Sequence, residues 1–232
     1  MNWQILDTGC QLAEENMRLD EELLASLNEF SRPILHLYDW AGDSATYGYF
    51  VRPADFLDLE KGRQRGLHLA RRPTGGGIIF HIWDFAFSVL IPSNSTYFSQ
   101  NTVANYQFVN SAVLRAVEEF LKEKSLSLTP KDGGQLDPAC SCFCMARPTK
   151  YDVMLGGKKI AGAAQRQRRT GFLHQGSIAL TSPCLSYLSD VLLPGTRVLE
   201  AMQAHTQALA EPSQLKEARM EMKALLIKHL CW

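Results

Sequence analysis

The sequence predicts an α/β (α+β) fold within one compact domain. Three observations support this prediction: the chain has 232 residues, 46 % of them are hydrophobic, and strand-like and helix-like patterns both occur. A chain of this length and composition can bury one sizeable core, and single α/β domains of this size are common. We therefore expect a single domain over residues 1–232, with residues 183–232 as a helical C-terminal segment.

Four segments repeat apolar residues at the spacing of an amphipathic helix. They cover residues 11–27, 106–121, 198–209 and 213–230. Thr102 is the predicted N-cap of the second helix, because a hydroxyl at that position accepts a hydrogen bond from the first turn.

Short segments rich in β-branched and aromatic residues, separated by glycine and other turn residues, predict strands. The predicted strands are residues 34–38, 45–50, 68–71, 78–80, 85–91, 125–129, 152–155, 158–164 and 172–180. Since no strand is predicted before residue 34, the sheet is expected to begin there. Gly156 and Gly157 predict a hairpin between two of the later strands.

Charge and composition exclude several classes of function. Lysine plus arginine and aspartate plus glutamate both number 24, so no overall field draws the protein to nucleic acid or to an anionic membrane. The start has no apolar leader, and no later apolar run is long enough to cross a bilayer. We expect a cytoplasmic protein, in which the six cysteines are reduced thiols.

Three successive glycines, Gly75, Gly76 and Gly77, form the most informative local feature. Such a loop can adopt positive φ angles, and its amides can converge on an anion or on a carbonyl oxygen. Arg71 and Arg72 precede the loop, and His81 follows one short strand later. A hairpin in which the glycines serve geometry alone is the alternative interpretation.

The segment Arg-Arg-Pro-Thr-Gly-Gly-Gly-Ile-Ile-Phe-His over residues 71–81 closely resembles a motif of the lipoate protein ligase and octanoyltransferase family. Residues 157–165 resemble the same family's Gly-x-Lys-Val-x-Gly-Ser-Ala block. The resemblance implies a mixed β-sheet domain flanked by helices, related to the biotin protein ligases. It also implies an enzyme that attaches a lipoyl or octanoyl group to a protein lysine.

By that resemblance the acyl chain occupies a tunnel beside the glycine loop. The residues implied to bind it are Arg72, Thr74, Gly75, Gly76, Gly77, His81, Gly162 and Ala163. Lys159 takes the position of the family's active-site lysine, where an ammonium would stabilise charge on the reacting carbonyl oxygen. The alternative for a lysine beside a Gly-Gly turn is simple solvation.

Two chemistries occur in this family, and they differ in their intermediate. Transferases need no cofactor, and some of them form a cysteine thioester; ligases use ATP and magnesium to form an acyl-adenylate. The block that begins at Cys144 matches the cysteine-dependent members in spacing, so Cys144 is the candidate nucleophile. Thr149 and Asp152 stand there for the family's Ser and Glu, and Arg147 or Lys159 would favour the thiolate.

Three departures from the family pattern accompany this match. The expected Phe follows Cys142 rather than Cys144, leaving open which thiol reacts. His174-Gln175-Gly176 reverses the usual Gln-His-Gly order, and Ile82 replaces an expected Asp, with Asp84 as a substitute.

A metal site is the rival interpretation of Cys140, Cys142 and Cys144, which alternate in sequence. No second pair of cysteines or histidines has zinc-site spacing, so no metal is expected.

The resemblance implies acceptor partners: lipoyl domains of 2-oxoacid dehydrogenase E2 subunits, or the glycine-cleavage H protein. Acyl carrier protein is a possible donor, and no nucleic-acid or membrane partner is expected. Residues 166–169, Arg-Gln-Arg-Arg, are typical of a solvated turn but could meet an acidic lipoyl domain. A non-catalytic acyl-binding module is the alternative of another class.

Overall fold

A computed structural model describes residues 3–130, 143, 145 and 149–231 of the chain. In this part of the chain the strands are β1 (Gln4–Gln11), β2 (Ile34–Trp40), β3 (Ser44–Tyr47), β4 (His68–Arg71), β5 (Ile78–Phe80), β6 (Asp84–Pro92), β7 (Ser127–Leu128), β8 (Val153–Leu155), β9 (Lys158–Arg168) and β10 (Gly171–Ala179). The α-helices are α1 (Ala13–Ala25), α2 (Leu59–Gln64), α3 (Thr102–Leu121), α4 (Leu185–Val191), α5 (Val198–His205) and α6 (Leu215–Cys231).

The larger sheet has seven described strands in the order β1-β2-β6-β10-β9-β8-β7. Its β1 and β2 run parallel, whereas β2, β6, β10, β9, β8 and β7 pair antiparallel in turn. A smaller sheet has the order β4-β3-β5, with β3 parallel to β4 and antiparallel to β5. The structure thus confirms a mixed β-sheet flanked by helices.

Alternating residues of β2 and β6 determine which helix covers which face of the larger sheet. Leu35, Leu37 and Phe87 belong to the main core with residues of α3 and α6. Ile34 and Leu90 belong to a separate cluster with Leu24 of α1 and neighbouring residues. The larger sheet is therefore covered by α1 on one face and by α3 and α6 on the other.

Several predicted boundaries differ from the structure. The sheet begins at β1 rather than at Ile34; β1 is an edge strand with exposed and half-buried residues and has no apolar run. The N-cap of α3 is Asn101, whose side chain accepts from the Val103 amide, and not Thr102. The fifth helix ends at His205, and α4 was not predicted. None of the helices in the described part of the chain is both long and apolar enough to cross a membrane.

Candidate active site

The glycine loop joins β4 to β5 and packs on the turn that follows β3. The Tyr49 amide donates to the Thr74 carbonyl at 3.0 Å, and the Gly48 amide donates to the Gly77 carbonyl at 3.2 Å. A Cβ atom on Gly48 would overlap the Gly76 carbonyl oxygen and lie 2.8 Å from its carbonyl carbon. Only glycine allows the two backbones to approach this closely.

Arg72 holds the glycine loop from inside. Its side chain is buried and donates to the Gly75 carbonyl at 3.0 Å and to the Gly77 carbonyl at 2.8 Å. It also donates to the Thr46 carbonyl at 3.0 Å and the Thr46 hydroxyl at 2.9 Å. Hydrogen bonds from a charged guanidinium are stronger than those between neutral groups, so Arg72 fixes the shape of the loop.

His81 lies in a buried chain of polar contacts beneath the loop. Its Nδ1 is 2.8 Å from the Asp84 carboxylate, and its Nε2 is 2.8 Å from the Thr46 hydroxyl. The Ser177 hydroxyl donates to the same Asp84 oxygen at 2.5 Å, and Trp40 stacks on the imidazole with 4.2 Å between ring centroids. Asp84, which the sequence analysis gave as the substitute for the Asp expected after His81, thus contacts the imidazole and orients it.

Lys159 forms a buried ion pair with Asp152. Lys159 Nζ lies 2.7 Å from Asp152 Oδ2, and both side chains are about 3 % exposed or less. The same carboxylate oxygen accepts from the Thr149 amide at 2.6 Å and from its hydroxyl at 3.0 Å. A Cβ on Gly162 would lie 2.5 Å from Lys159 Nζ, so the missing side chain makes room for the lysine. The two hydrogen bonds from Thr149 therefore keep the carboxylate in place to fix the ammonium.

A small cavity brings several of the predicted residues together. Its lining includes Arg72, Lys159, Gly162, Ala163 and Gln175, and its volume of about 20 Å³ has room for about one water molecule. An acyl chain can enter it only if neighbouring side chains move. Ile79, Met145 and Ala164 complete its lining.

Thr74 and His81, two of the predicted site residues, do not line this cavity but are linked to its lining by hydrogen bonds. Thr74 donates to Gln175 Oε1 at 2.6 Å, and Gln175 Nε2 donates to Asp20 at 2.6 Å. His81 connects to Arg72 through the Thr46 hydroxyl. Asp20 in turn accepts from Ser88 at 2.6 Å and contacts the buried His36 ring at 2.8 Å. No local pattern in the sequence singled out this polar network.

The reversed His174-Gln175 order has a clear structural result. Successive residues of a strand point to opposite faces, so Gln175 faces the cavity while His174 faces the core beside α3. Gln165 Nε2 donates to His174 Nδ1 at 2.7 Å, and His174 Nε2 has no partner among the described residues. Burial lowers the pKa of His174 to about 3.

Replacing His174 with glutamine should make the free energy of unfolding depend less on pH below pH 7. The pKa of His174 is about 3 when folded and near 6.5 when unfolded, so the unfolded chain binds more protons between these values. Stability should fall as the pH drops through this window, by up to about 1.4 kcal/mol per pH unit. Urea unfolding of both proteins from pH 7 to pH 4.5 measures the two slopes. Val113→Ala, which only truncates the core, should keep the wild-type slope; equal slopes for wild type and His174→Gln would contradict the assignment.

The predicted nucleophile Cys144 lies outside the described residues, as do Cys140, Cys142 and Arg147. The metal-site alternative for the three cysteines falls on the same residues. Five later members of the block are described, among them Thr149 and Asp152, and Asp152 contacts the predicted active-site lysine. From the sequence, Asp152 was identified only as the residue that replaces the family's Glu, and not as the partner of Lys159.

Comparisons with known proteins identify the family to which this chain is similar. The lipoyl protein ligase A/B catalytic domain model matches residues 13–225. Octanoyltransferase LipM of Symbiobacterium thermophilum is 31 % identical, over 94 % of this chain and 82 % of its own. Octanoyltransferase LipM of Kyrpidia tusciae is 28 % identical, over 87 % of this chain and 74 % of its own.

The fold also matches a solved structure. A lipoate protein ligase of T. acidophilum, solved with bound lipoic acid, superposes with a TM-score of 0.74 and 24 % identity, covering 99 % of this chain and 84 % of that one. This likeness confirms the predicted fold, and the relatives confirm the predicted acyltransferase class. The family match extends over nearly the whole chain. The chain therefore belongs to the lipoyl protein ligase A/B catalytic domain family.

Proposed function

We propose that the protein transfers an octanoyl or lipoyl group to the acceptor lysine of a lipoyl domain through a thioester on Cys144. The observation that carries the proposal is the buried Lys159 ammonium, which Asp152 and Gly162 hold at the cavity beside the glycine loop. A fixed positive charge in a water-poor site stabilises negative charge on a reacting carbonyl oxygen. The octanoyltransferase relatives support acyl transfer as the reaction.

The reaction has two balanced steps in this proposal. The Cys144 thiolate attacks the donor's thioester carbonyl, and the donor thiolate leaves and takes up a proton. The neutral amine of the acceptor lysine then attacks the Cys144 thioester, forming an amide, releasing the cysteine thiolate and losing one proton. Lys159 would stabilise the oxyanion in both steps. Arg72 would keep the glycine loop in the shape that receives the acyl chain.

The remaining substrate-binding assignments are part of the same proposal. Thr74, Gly75, Gly76 and Gly77 would border the acyl chain at the loop, and Gly162 and Ala163 would border it at β9. His81 would act from beneath through Thr46. One continuous domain over residues 1–232, with 183–232 as its helical end, would carry the whole site.

No cofactor is needed for this transfer. The alternative is an ATP- and magnesium-dependent ligase, which would form an acyl-adenylate. It is less favoured because the curated relatives are octanoyltransferases.

We propose E2 lipoyl domains or the glycine-cleavage H protein as acceptors, and acyl carrier protein as a donor. A cytoplasmic location fits the proposal, because a thioester route needs a cysteine that stays reduced.

Replacing Cys144 with serine should abolish transfer from an octanoyl thioester to an apo lipoyl domain. A serine hydroxyl is far less ionised than a thiol at neutral pH, so no acyl-enzyme should accumulate. Intact-mass spectrometry of enzyme and acceptor measures both the intermediate and the product. Cys184→Ser, which removes an exposed thiol, should leave both unchanged.

Three outcomes would count against the proposal. Full transfer by the Cys144→Ser variant would exclude the thioester at this residue. A mass increase that appears only with octanoate or lipoate plus ATP and magnesium would favour the ligase alternative. Acyl binding without any modified acceptor would favour the non-catalytic module.

A further inference from the structure

A cationic and aromatic surface lies beside the glycine loop, and the proposed mechanism does not use it. We define the arginine–tyrosine patch as Tyr49, Phe50, Arg71, Arg166 and Arg168. Its members come from the turn after β3, the end of β4 and the last residues of β9. The sequence indicated a solvated turn for residues 166–169, but the first three of them are strand residues.

Tyr49 brings two arginines of the patch together. Arg71 Cζ lies 4.7 Å from the centroid of the Tyr49 ring, and Arg166 Cζ lies 5.5 Å from it. Both distances are within the range of cation–π attraction. Two positive charges from distant parts of the sequence therefore meet at one exposed ring.

The patch is attached to the candidate active site. Arg166 donates to the Pro73 carbonyl at 3.0 Å, and Tyr49 donates to the Thr74 carbonyl at 3.0 Å. Arg166 and Arg168 also lie on the same face of β9 as Gly162, because residues two apart share a strand face. A partner on the patch would therefore lie beside the glycine loop.

The charge of the patch is strongly positive although the chain as a whole is neutral. Glu21 lies 3.7 Å from Arg166 and 4.0 Å from Arg168, and its side chain is 56 % exposed. Among the described residues, Glu21 thus pairs with two of the three guanidinium groups of the patch, and Arg169 is exposed at the following turn. Such a local excess of positive charge attracts acidic surfaces and raises their rate of association.

Phe50 adds an apolar ring to the patch, packed edge to face against Tyr49 with 5.2 Å between ring centroids. Its side chain is 90 % exposed, so the whole ring is open to contact with a partner. Aromatic and arginine side chains together dominate the binding energy of protein interfaces. Both the charge and the exposed ring therefore indicate a protein partner.

We propose that the arginine–tyrosine patch docks the acidic surface of the acceptor domain that carries the target lysine. The proposal rests on the proposed function, because it names how the acceptor reaches the loaded enzyme. Charge complementarity selects an acidic domain, and the contacts with Pro73 and Thr74 place that domain at the loop.

The test separates acyl loading from acyl transfer in the full-length protein. The enzyme is first loaded from octanoyl-N-acetylcysteamine, a small thioester that needs no protein docking surface. The loaded enzyme is then mixed with excess apo lipoyl domain of acidic net charge, and transfer is followed by intact-mass spectrometry. The variants are Arg71→Glu/Arg168→Glu and Phe50→Ser.

The matched control is Lys124→Glu/Lys216→Glu, which changes net charge by the same amount at exposed residues. Thr102 at the start of α3 contacts Gln167 near the patch, whereas Lys124 follows the other end of that helix, about 30 Å away. Lys216 lies at the start of α6.

We expect the double charge reversal to slow transfer to the lipoyl domain about 10- to 100-fold at low salt, while loading stays within about twofold. Wild-type transfer should slow as salt is added, and the reversed variant should show little salt dependence. Phe50→Ser should raise the acceptor concentration needed for half-maximal transfer, without changing the rate at saturation.

Distinct outcomes would overturn the proposal. Equal losses of loading and transfer, or equal effects of the control pair, would show that the patch is not an acceptor surface. A loss seen only when acyl carrier protein replaces the small thioester would assign the patch to the donor. If the wild type itself never modifies an acceptor, the proposed function fails, and docking fails with it.

Discussion

Replacing Lys159 with methionine should reduce acyl transfer by about 10²- to 10³-fold, the loss that follows when one fixed oxyanion-stabilising group is removed. The same change leaves the Asp152 carboxylate buried without its ammonium partner. Breaking a buried ion pair from one side costs about 3–5 kcal/mol, so the free energy of unfolding should also fall. Single-turnover transfer and urea unfolding measure the two effects.

A second substitution separates catalysis from stability. Lys159→Met/Asp152→Leu removes both charges, and replacing a whole buried pair with apolar residues is often close to neutral. We expect this double variant to recover most of the lost stability and none of the lost activity. Recovery of activity would show that the lysine serves only the fold. Lys158→Met, at the neighbouring partly exposed residue, should change neither quantity.

Replacing Gly48 with alanine should lower the free energy of unfolding by about 3 kcal/mol and strongly reduce activity. The added Cβ would overlap the Gly76 carbonyl oxygen and lie 2.8 Å from backbone carbons of Gly75 and Gly76. A backbone atom cannot turn aside as a flexible side chain can, so the whole glycine loop must shift. Urea unfolding and the rate of acyl loading check this result.

Gly75→Ala is the matched control within the same loop. Apart from its two chain neighbours, no described residue has an atom within 4 Å of a Cβ at this position, and its φ is outside the left-handed region. The free energy of unfolding should therefore stay the same or rise slightly. A loss of stability equal to that of Gly48→Ala would mean that alanine anywhere in the loop is destabilising, independent of the close approach at Gly48.

Much of the fold could be predicted from local patterns. The core of α1, the buried strand β6 and the β8–β9 hairpin all show strong periodicity or clear turn residues. The strand β1 was not predicted, because it lies at a sheet edge and has no run of apolar residues. The helix α4 has only seven residues, fewer than the window over which helical periodicity can be recognised.

The candidate site, like the fold, could be predicted only in part from the sequence. The glycine loop and Lys159 stand in motifs that are specific enough to identify from the sequence. The hydrogen bond from Thr74 to Gln175 joins residues 101 positions apart, and no local pattern shows such a contact. The role of Arg72 also needed the structure, because its donors are directed at the carbonyls of the loop that it precedes.

The strand β9 also sets the distance between the Lys159 ammonium and the arginines of the proposed docking surface. The Lys159 ammonium lies beside Gly162, while Arg166 and Arg168 stand four and six residues further along the same strand. At about 3.3 Å per residue, these separations are about 13 and 20 Å. With the docking proposed above, an acceptor must carry its lysine about 13 to 20 Å from the acidic residues that contact the arginines, and a domain with the same charge but a different separation should bind without being modified.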